Sequence, residues 1–439
     1  MQELKNLMRD FGIVGAGGAG FPSYAKLAEG ADLLLINGAE CEPLLATDYI
    51  LLRDQLDLVL QGVLEVIAKT SITKAYIAVK AHNAERLGWT DGERLGEGVY
   101  ARALPDVYPL GDEISLIYEA TGRLVNPGKL PITKGIIVYN VETMYNLGRG
   151  LRYNEPVTEK WLTVGGAIKS PTVIKVPMGT KISDIFARLN IEVKEGYTVI
   201  DGGPSMGKII NPRTYTVNKT TKGILILPDS SQAILSKKTN EALATKRAET
   251  ACCQCTRCTD MCPRNLLGYP LEPHKMVRTA MGVAEAIPEM VISATLCCGC
   301  GVCESLACNQ GISPRAVIDN YKKLLSQNRL RFDKDGEYSV APEREYRMLP
   351  YKKWQSALGV ASFDVDTDFG GEINDFSRVE LTLSRHIGKP SVPVVKDGDI
   401  VNTGDLIALA QDGLSVPQHA SISGRVTLGN DKIIIDKVR

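Results

Sequence analysis

Two cysteine-rich segments carry the clearest chemical signal in this sequence, because they hold all but one of its 11 cysteines. The first segment contains the spacing C-x2-C-x2-C-x3-C-P, from Cys252 to Pro263. The second repeats it from Cys297 to Cys308, with one extra residue before its last cysteine. This spacing is typical of [4Fe–4S] ligands, since a tight loop brings three thiolates onto one cubane and a fourth arrives from elsewhere.

The doubled pattern predicts two clusters that share ligands between the segments. In two-cluster proteins of this kind, the fourth cysteine of each run binds the cluster of the other run. We therefore expect one cluster on Cys252, Cys255, Cys258 and Cys308, and the other on Cys297, Cys300, Cys303 and Cys262. Cys253 and Cys298 lie beside these ligands and are interpreted as additional, unbound thiols.

Zinc sites and disulfide bonds are the alternatives to iron–sulfur clusters. A structural zinc site needs two C-x2-C pairs, so the third cysteine of each run would be surplus. Disulfides belong to oxidising compartments, whereas the N-terminus begins with an amphipathic helix pattern and lacks the apolar core of a signal peptide. The cluster interpretation is therefore preferred.

The composition is that of a globular protein with several domains. The chain has 439 residues, 44% hydrophobic and 23% charged, which suffices for about three domains. Lysine plus arginine equals aspartate plus glutamate at 51 each, so a nucleic-acid partner is not expected. No apolar run reaches the roughly 18 residues of a membrane helix. Together with thiolates that must stay reduced, this favours the cytoplasm.

A glycine-rich segment near the N-terminus is a candidate nucleotide-binding loop. It holds Gly15, Gly17, Gly18 and Gly20, directly before Phe21 and Pro22. Glycines allow backbone N–H groups to approach a phosphate or a flat ring, and a proline can begin a helix whose N-terminus favours an anion. The loop is not a Rossmann fingerprint, because only two strand-type residues precede it.

Strand and helix patterns alternate from residue 32 to residue 139, which predicts an α/β domain with a largely parallel sheet. We expect strands at 32–36, 75–79, 99–104 and 136–139, and helices at 48–68 and 113–120. Polar residues cluster beside these elements: Asn37, Glu40, Glu42 and Asp48; Gly111, Asp112 and Glu113; and Asn140, Glu142 and Thr143. Ligands bind at the carboxyl ends of parallel strands, so we expect these three groups of polar residues to line one crevice. The last cluster is equally explained as a helix cap.

The whole chain is predicted to be a multidomain α/β protein with five segments. The α/β domain covers 1–153, and short strand patterns around one helix at 182–189 predict a β-grasp, SLBB-like domain at 154–235. A helical domain at 240–325 carries both cysteine segments, and 326–378 is interpreted as an irregular, charged connector. Apolar alternation between glycine turns predicts an all-β barrel-sandwich domain at 379–439.

Four ordered motifs, taken with the cysteine segments, resemble a known family. The motifs are Gly15–Pro22 with Lys26, Asn37–Pro43, Gly111–Glu113 and Asn140–Thr143. In that order they resemble the FMN and NADH site of the complex I flavoprotein subunit. With the two cysteine segments they resemble the RnfC/PduS family, and the barrel-sandwich module at the C-terminal end favours its microcompartment reductase branch over its Rnf branch.

The resemblance implies an NADH-dependent flavin and iron–sulfur oxidoreductase with FMN, two [4Fe–4S] clusters and NADH as substrate. It implies that Gly15, Gly17 and Lys26 hold the FMN phosphate and ribityl chain. It places Asn37, Glu40, Asn140 and Thr143 around the rest of the FMN, and Phe21, Glu42 and Glu113 at the nicotinamide nucleotide. Gly18, Gly20, Gly111 and Asp112 complete the implied cofactor site.

The resemblance also implies partners and a location. The implied acceptor is cobalamin, with a cobalamin adenosyltransferase and the shell or enzymes of a bacterial microcompartment as partners. The location is then the cytoplasm or the interior of that microcompartment. The alternative is an RnfC-like subunit that exchanges electrons between NAD(H) and a ferredoxin or membrane partner.

Overall fold

A five-stranded sheet forms the centre of the N-terminal domain. The computed structural model describes residues 1–438, and in it the strand order is β3-β4-β2-β1-β6. Strands β1, β2, β4 and β6 are mutually parallel and β3 is antiparallel, which confirms the expected largely parallel sheet. The elements are α1 (Gln2–Asp10), β1 (Leu33–Asn37), α2 (Thr47–Asp54), α3 (Leu56–Ala68), β2 (Lys74–Lys80), α4 (Ala81–Leu87), β3 (Arg94–Gly96), β4 (Val99–Leu104), β5 (Val107–Tyr108), α5 (Glu113–Thr121), β6 (Ile136–Asn140) and α6 (Val141–Tyr153).

The sheet is buried on both faces because helices cover each side. Successive side chains of a strand point to opposite faces, so Leu34 and Ile36 of β1 enter the core beneath α3 and α6, while Leu33 and Leu35 enter the core beneath α5. Glycines bring α3 and α6 close together. A Cβ at Gly148 would lie 2.0 Å from the carbonyl oxygen of Leu58.

One predicted helix is divided in the structure. The apolar pattern from 48 to 68 predicted a single helix, but α2 ends at Asp54 and α3 begins at Leu56. Gln55 between them has φ −133° and ψ 26°, outside the helical region. The periodic pattern could not reveal this break, since apolar residues continue on both sides of it.

The second domain is built on a six-stranded mixed sheet with the order β10-β9-β11-β7-β8-β13. The expected helix at 182–189 is present as α7. The elements are β7 (Glu159–Gly166), β8 (Thr172–Pro177), α7 (Ile182–Arg188), β9 (Tyr197–Asp201), β10 (Lys208–Ile209), β11 (Gly223–Pro228) and α8 (Gln232–Lys237).

Short helices form the third region, which holds both cysteine segments. Its elements are α9 (Glu241–Ala251), α10 (Arg257–Asp260), α11 (Pro263–Leu266), α12 (Pro273–Ala280), α13 (Pro288–Ile292) and α14 (Pro314–Gln327). Four of these helices begin with proline at the first helical position, which suits its fixed φ and missing N–H.

The expectation of an irregular connector at 326–378 is wrong for much of that range. The segment contains α15 (Arg344–Arg347), β12 (Leu349–Pro350), α16 (Tyr351–Leu358) and β13 (Asp368–Glu372). Strand β12 pairs with β5 of the first domain and β13 pairs with β8 of the second. The fully buried Trp354 stacks on Tyr108 at 4.6 Å between ring centroids. This structure depends on partners distant in sequence, which a local pattern does not show.

The C-terminal domain consists of two small antiparallel sheets, with orders β14-β20-β19-β16 and β15-β17-β18. Its strands are β14 (Arg378–Thr382), β15 (Val392–Pro393), β16 (Ile400–Val401), β17 (Leu406–Leu409), β18 (Gln418–His419), β19 (Gly424–Leu428) and β20 (Lys432–Asp436). Within residues 1–438, no helix is both long enough and apolar enough to span a bilayer.

A buried lysine joins the N-terminal, second and C-terminal domains. Lys219 donates hydrogen bonds from Nζ to the carbonyl oxygens of Gly12 at 2.8 Å and Pro417 at 3.0 Å. Burial lowers the pKa of Lys219 to about 7. Burial and the nearby Lys219 also lower the pKa of His419 to about 3, so this imidazole is neutral at pH 7.

Replacing Lys219 by methionine should lower the melting temperature, because each buried carbonyl left unpaired costs about 1–3 kcal/mol. The substitution should also change how the stability of the folded protein depends on pH. Between a folded-state pKa of about 7 and the ordinary 10.5 the unfolded chain binds more protons, so Lys219 makes stability increase with pH in that window. Calorimetry should show that the melting temperature increases less between pH 7 and pH 9.5 in Lys219→Met than in the wild-type protein. The exposed Lys194→Met is the control, and parallel pH profiles for all three proteins would contradict this role.

Candidate functional site

The glycine loop is closed by its own hydrogen bonds. Gly15 N–H donates to the Phe21 carbonyl at 2.8 Å, and Gly20 N–H donates to the Gly15 carbonyl at 3.1 Å. Thr143 Oγ1 accepts the N–H of Ala16 at 3.1 Å. Within residues 1–438, the three N–H groups from Gly17 to Ala19 donate to no protein acceptor. Consecutive free N–H groups of this kind suit an anion such as a phosphate.

A cavity of about 340 Å³ lies beside this loop, at the carboxyl ends of β1 and β6. Its size is within the range of ligand pockets, about 300–1,000 Å³. Eleven of the predicted cofactor residues line it: Gly15, Gly17, Phe21, Lys26, Asn37, Glu40, Glu42, Gly111, Asp112, Glu113 and Asn140. A site with free N–H groups, cations and a pocket of this volume fits FMN.

The other three predicted residues do not line the cavity. Thr143 is fully buried and holds the glycine loop from behind. Gly20, with φ +68°, packs against the second and C-terminal domains, since a Cβ there would lie 2.7 Å from Thr220 Cγ2. Gly18 has φ +105° and faces open space. These residues shape the loop rather than contact the cavity.

Amide side chains fasten the strand ends to one another. Because β1 and β6 pair in parallel register, Asn37 lies opposite Asn140. Asn37 Nδ2 donates to the carbonyl of Gly111 at 3.0 Å, and Asn140 Nδ2 donates to the carbonyl of Asn37 at 3.2 Å and to Asp48 Oδ2 at 3.0 Å. The sheet register therefore determines the shape of the cavity floor.

Lys26 and the N-terminus of α5 form one side of the cavity. Lys26 Nζ donates to Glu113 Oε1 at 2.8 Å and to the carbonyl of Val138 at 3.0 Å. An ammonium has three N–H donors, so one donor stays available for a ligand. Asp112 caps α5 by accepting the N–H of Ser115 at 3.2 Å.

Lys222 is a cavity residue that the sequence analysis missed. It belongs to the second domain, yet its Nζ lies 2.5 Å from Asp48 Oδ1 and 3.7 Å from Glu142 Oε2. Although burial opposes it, the carboxylates of Asp48 and Glu142 hold the pKa of Lys222 above its ordinary value. Lys160, also from the second domain, forms a buried ion pair with Glu142. Nothing local to residue 222 indicates a site.

Glu40 lies beside these buried charges and has a raised pKa. Burial, and next the negative charge of Asp48, raise the pKa of Glu40 to about 7. Its carboxylate accepts the N–H groups of Asp48 at 2.9 Å and Tyr49 at 3.2 Å, so it caps the start of α2. Glu40 can therefore hold or release a proton near pH 7 at the cavity wall.

A glycine turn of the second domain closes the cavity at Glu42. The Glu42 carboxylate accepts the backbone N–H groups of Ser205 at 2.9 Å and Met206 at 3.0 Å. Gly203 allows this approach, because a Cβ there would lie 2.2 Å from Glu42 Oε2. Burial also raises the pKa of Glu42. Glu42 thus anchors the turn, in addition to lining the pocket.

Cys41, the cysteine outside the two segments, is buried in the same wall. Burial raises the pKa of its thiol to about 12. A thiol with so high a pKa is unreactive at neutral pH. Cys41 is therefore a packing residue.

The remaining cysteines line two separate cavities. We call them the outer site, with Cys252, Cys255, Cys258 and Cys308, and the inner site, with Cys262, Cys297, Cys300 and Cys303. Each site gathers the four cysteines that the spacing assigned to one cluster, and four thiolates are the donor set of a [4Fe–4S] cluster. Cys253 lies at the outer site and Cys298 at the inner site.

The inner site and the cavity beside the glycine loop share a wall. Cys298 and Cys300 line both of them. Tyr108 Oη donates to the carbonyl of Cys300 at 2.8 Å, and Pro109, the next residue, lines the large cavity. Cys300 and Cys303 are each 7% exposed, whereas Cys255 of the outer site is exposed. The order from the inside outwards is therefore cavity, inner site, outer site.

Comparisons with known proteins agree with this arrangement. Three family models match: the Nuo51 FMN-binding domain at residues 8–149, a 4Fe-4S dicluster domain at 251–313 and the RnfC barrel sandwich hybrid domain at 372–433. These matches confirm the predicted flavin, two-cluster and barrel-sandwich units.

Two full-length relatives are cobalamin reductases PduS. The protein of Salmonella typhimurium is 36% identical over 434 residues, covering 98% of this chain and 96% of its own length. That of Citrobacter freundii is 36% identical over 430 residues, covering 97% and 94%. A component of the proton-translocating ferredoxin:NAD(+) oxidoreductase complex of Clostridium ljungdahlii is 32% identical over 271 residues, covering 61% and 57%.

Removing the charge of Lys222 should destabilise the domain contact and the cavity. Lys222→Met leaves Asp48 without its 2.5 Å partner, and breaking a buried ion pair costs about 3–5 kcal/mol. We expect a lower melting temperature of the flavin-free protein and weaker FMN retention on a desalting column. Lys222→Arg should recover part of both losses, and the exposed Lys208→Met should have neither. Equal effects of Lys222→Met and Lys208→Met would contradict the role.

Serine substitutions should separate ligands from unbound thiols. Cys308→Ser at the outer site and Cys303→Ser at the inner site should each lose about four of about eight irons. Cys253→Ser and Cys41→Ser should retain all of them. Iron and sulfide analysis after anaerobic reconstitution measures this, and a loss of iron in Cys253→Ser would overturn the assignment of the outer site.

Proposed function

Because this chain belongs to the cobalamin reductase PduS family, we propose that it is an NADH-dependent oxidoreductase that passes electrons through FMN and two [4Fe–4S] clusters to cobalamin. The observation that carries this proposal is the wall shared by the large cavity and the inner cysteine site at Cys298 and Cys300. A hydride acceptor in the cavity would lie directly beside a one-electron carrier. FMN, when bound, accepts two electrons as a hydride and releases them singly, while a cluster takes one at a time.

The glycine loop would bind the phosphate end of FMN. The free N–H groups from Gly17 to Ala19 can donate to phosphate oxygens, and Lys26 retains one N–H donor and a positive charge. Asn37 and Asn140 fix the strand ends at the floor of the cavity. These residues bind and orient the cofactor.

The second domain and the cysteine region would exclude water from the flavin. The turn at Ser205 and Met206 is fixed to Glu42, and the second cysteine segment covers the adjacent side. Burial and Asp48 raise the pKa of Glu40 to about 7. Glu40 can therefore hold a proton near the flavin when the charge of the flavin changes. Phe21 and Glu113 line the cavity, and we assign them to the side where a nicotinamide nucleotide would enter.

The outer site is the proposed exit for electrons. Cys253 and Cys255 are exposed there, so an acceptor such as cobalamin could approach the outer cluster directly. A cobalamin adenosyltransferase would use the reduced cobalamin, and we propose the cytoplasm or the interior of a bacterial microcompartment as the location. The relation to the Clostridium ljungdahlii protein supports a second candidate, in which a ferredoxin or a membrane partner replaces cobalamin at this exit.

The test is anaerobic turnover of the protein loaded with FMN and both clusters. NADH should bleach the flavin and cluster absorbance, and added cob(II)alamin should restore the colour while cob(I)alamin forms. Cys308→Ser removes a ligand of the outer site. In this variant NADH should still bleach the flavin absorbance, but most of the cobalamin reduction should be lost. Restoration of colour by a ferredoxin but not by cobalamin would favour the second candidate, and absence of NADH bleaching would refute the proposal.

A further inference from the structure

A buried ion pair connects the inner cysteine site to the large cavity. Arg264 follows Cys262 by two residues and lines the inner site together with the four cysteines. Its Nη2 lies 2.6 Å from Oδ1 of Asp112, which lines the large cavity, and both side chains are 12% exposed. The pair therefore spans the wall between the two cavities.

The arginine charge is permanent and poorly screened. A guanidinium stays protonated in proteins, and the carboxylate of Asp112 lies within hydrogen-bond distance of it although both side chains are largely buried. The Nε–H group of Arg264 is buried and has no protein acceptor within residues 1–438. One N–H donor in the wall of the inner site is thus left for a group bound there.

Cluster potentials respond to nearby charge and to hydrogen bonds on the sulfurs. A cluster on four thiolates becomes more negative by one charge when it is reduced, so a neighbouring cation favours the reduced form and a neighbouring anion disfavours it. The other arginine of the inner site, Arg315, is paired with Glu304 at 2.7 Å and donates to the carbonyls of Ser205 and Gly299. Only Arg264 has its counter-charge on the flavin side of the wall.

We propose that the Arg264–Asp112 pair sets the reduction potential of the inner cluster, with Arg264 raising it and Asp112 opposing that effect from the flavin cavity. Both act as positioning residues for the electron transfer proposed above, on which this inference rests. The two halves of the pair therefore have opposite effects. A merely structural contact would not distinguish them by sign, because losing either partner would loosen the same interface.

The test is a redox titration of the full-length protein loaded with FMN and both clusters, with EPR following each cluster. Arg264→Met should shift the midpoint potential of the inner cluster to more negative values. Asp112→Asn should shift it to more positive values, and asparagine preserves the cap of α5. The outer cluster should keep its potential in both variants. Cys308→Ser, in which the inner cluster remains, identifies the inner signal.

Two controls separate charge from packing. Arg264→Lys retains the positive charge and should stay closer to the wild-type potential than Arg264→Met. Arg123 and Asp32 form a matched surface pair with Nη1 2.6 Å from Oδ1, and Arg123→Met and Asp32→Asn should shift neither cluster. If Arg264→Met loses iron, the midpoint potentials of the inner cluster in Arg264→Lys and Asp112→Asn are compared instead.

Unchanged potentials, or shifts of Arg264→Met and Asp112→Asn in the same direction, would overturn the inference. That outcome leaves the proposed function intact, because NADH-driven cobalamin reduction by the wild-type protein is measured separately. If the two variants show opposite shifts but the wild-type protein, loaded with both clusters, never reduces cobalamin, the proposed acceptor is refuted and the inference is retained.

Discussion

The carboxyl ends of the parallel strands β1 and β6 leave a cavity that the N-terminal domain does not close by itself. The remaining walls come from other parts of the chain: Lys222 and Met206 from the second domain, and Cys298 and Cys300 from the cysteine region. A reduced flavin in a site that is open to water would transfer electrons to dissolved oxidants. Closure of this one cavity is therefore the constraint that determines how the domains are arranged.

Buried charge holds this arrangement together. Lys222 and Lys160 enter from the second domain and meet Asp48 and Glu142 of the first. Burying such charges is expensive unless each finds a partner, so the two domains have a specific orientation rather than a loose apolar contact. Burial, and next the carboxylate of Asp48, raise the pKa of Glu40, while Lys222 opposes that shift. The cavity wall therefore holds a group that titrates near neutrality beside the buried ion pairs.

The segment after the cysteine region completes the assembly. Strand β12 joins the first domain, β13 joins the second, and Trp354 lies between them with its Nε1 donating to Ser205 Oγ at 3.0 Å. That hydrogen bond stabilises the turn that closes the cavity at Glu42. Lys219 performs the corresponding task at the other end, where Gly12 and Pro417 meet. Sites and domain contacts are thus built from the same residues.

The sequence alone determined the features that depend on residues close together in the chain: the cysteine ligand sets, the parallel sheet and the cavity motifs. Cysteine spacing predicted which four cysteines share each site, because a tight loop supplies three ligands and the last cysteine of the other segment supplies the fourth. Strand–helix alternation predicted the parallel sheet. Eleven cavity residues were predicted because a family resemblance marks them in short, ordered motifs. Only the tertiary structure decided the rest. Lys222 reaches Asp48 across 174 positions and Arg264 reaches Asp112 across 152, and an ordinary lysine or arginine acquires such a role only when folding brings a distant, buried counter-charge to it.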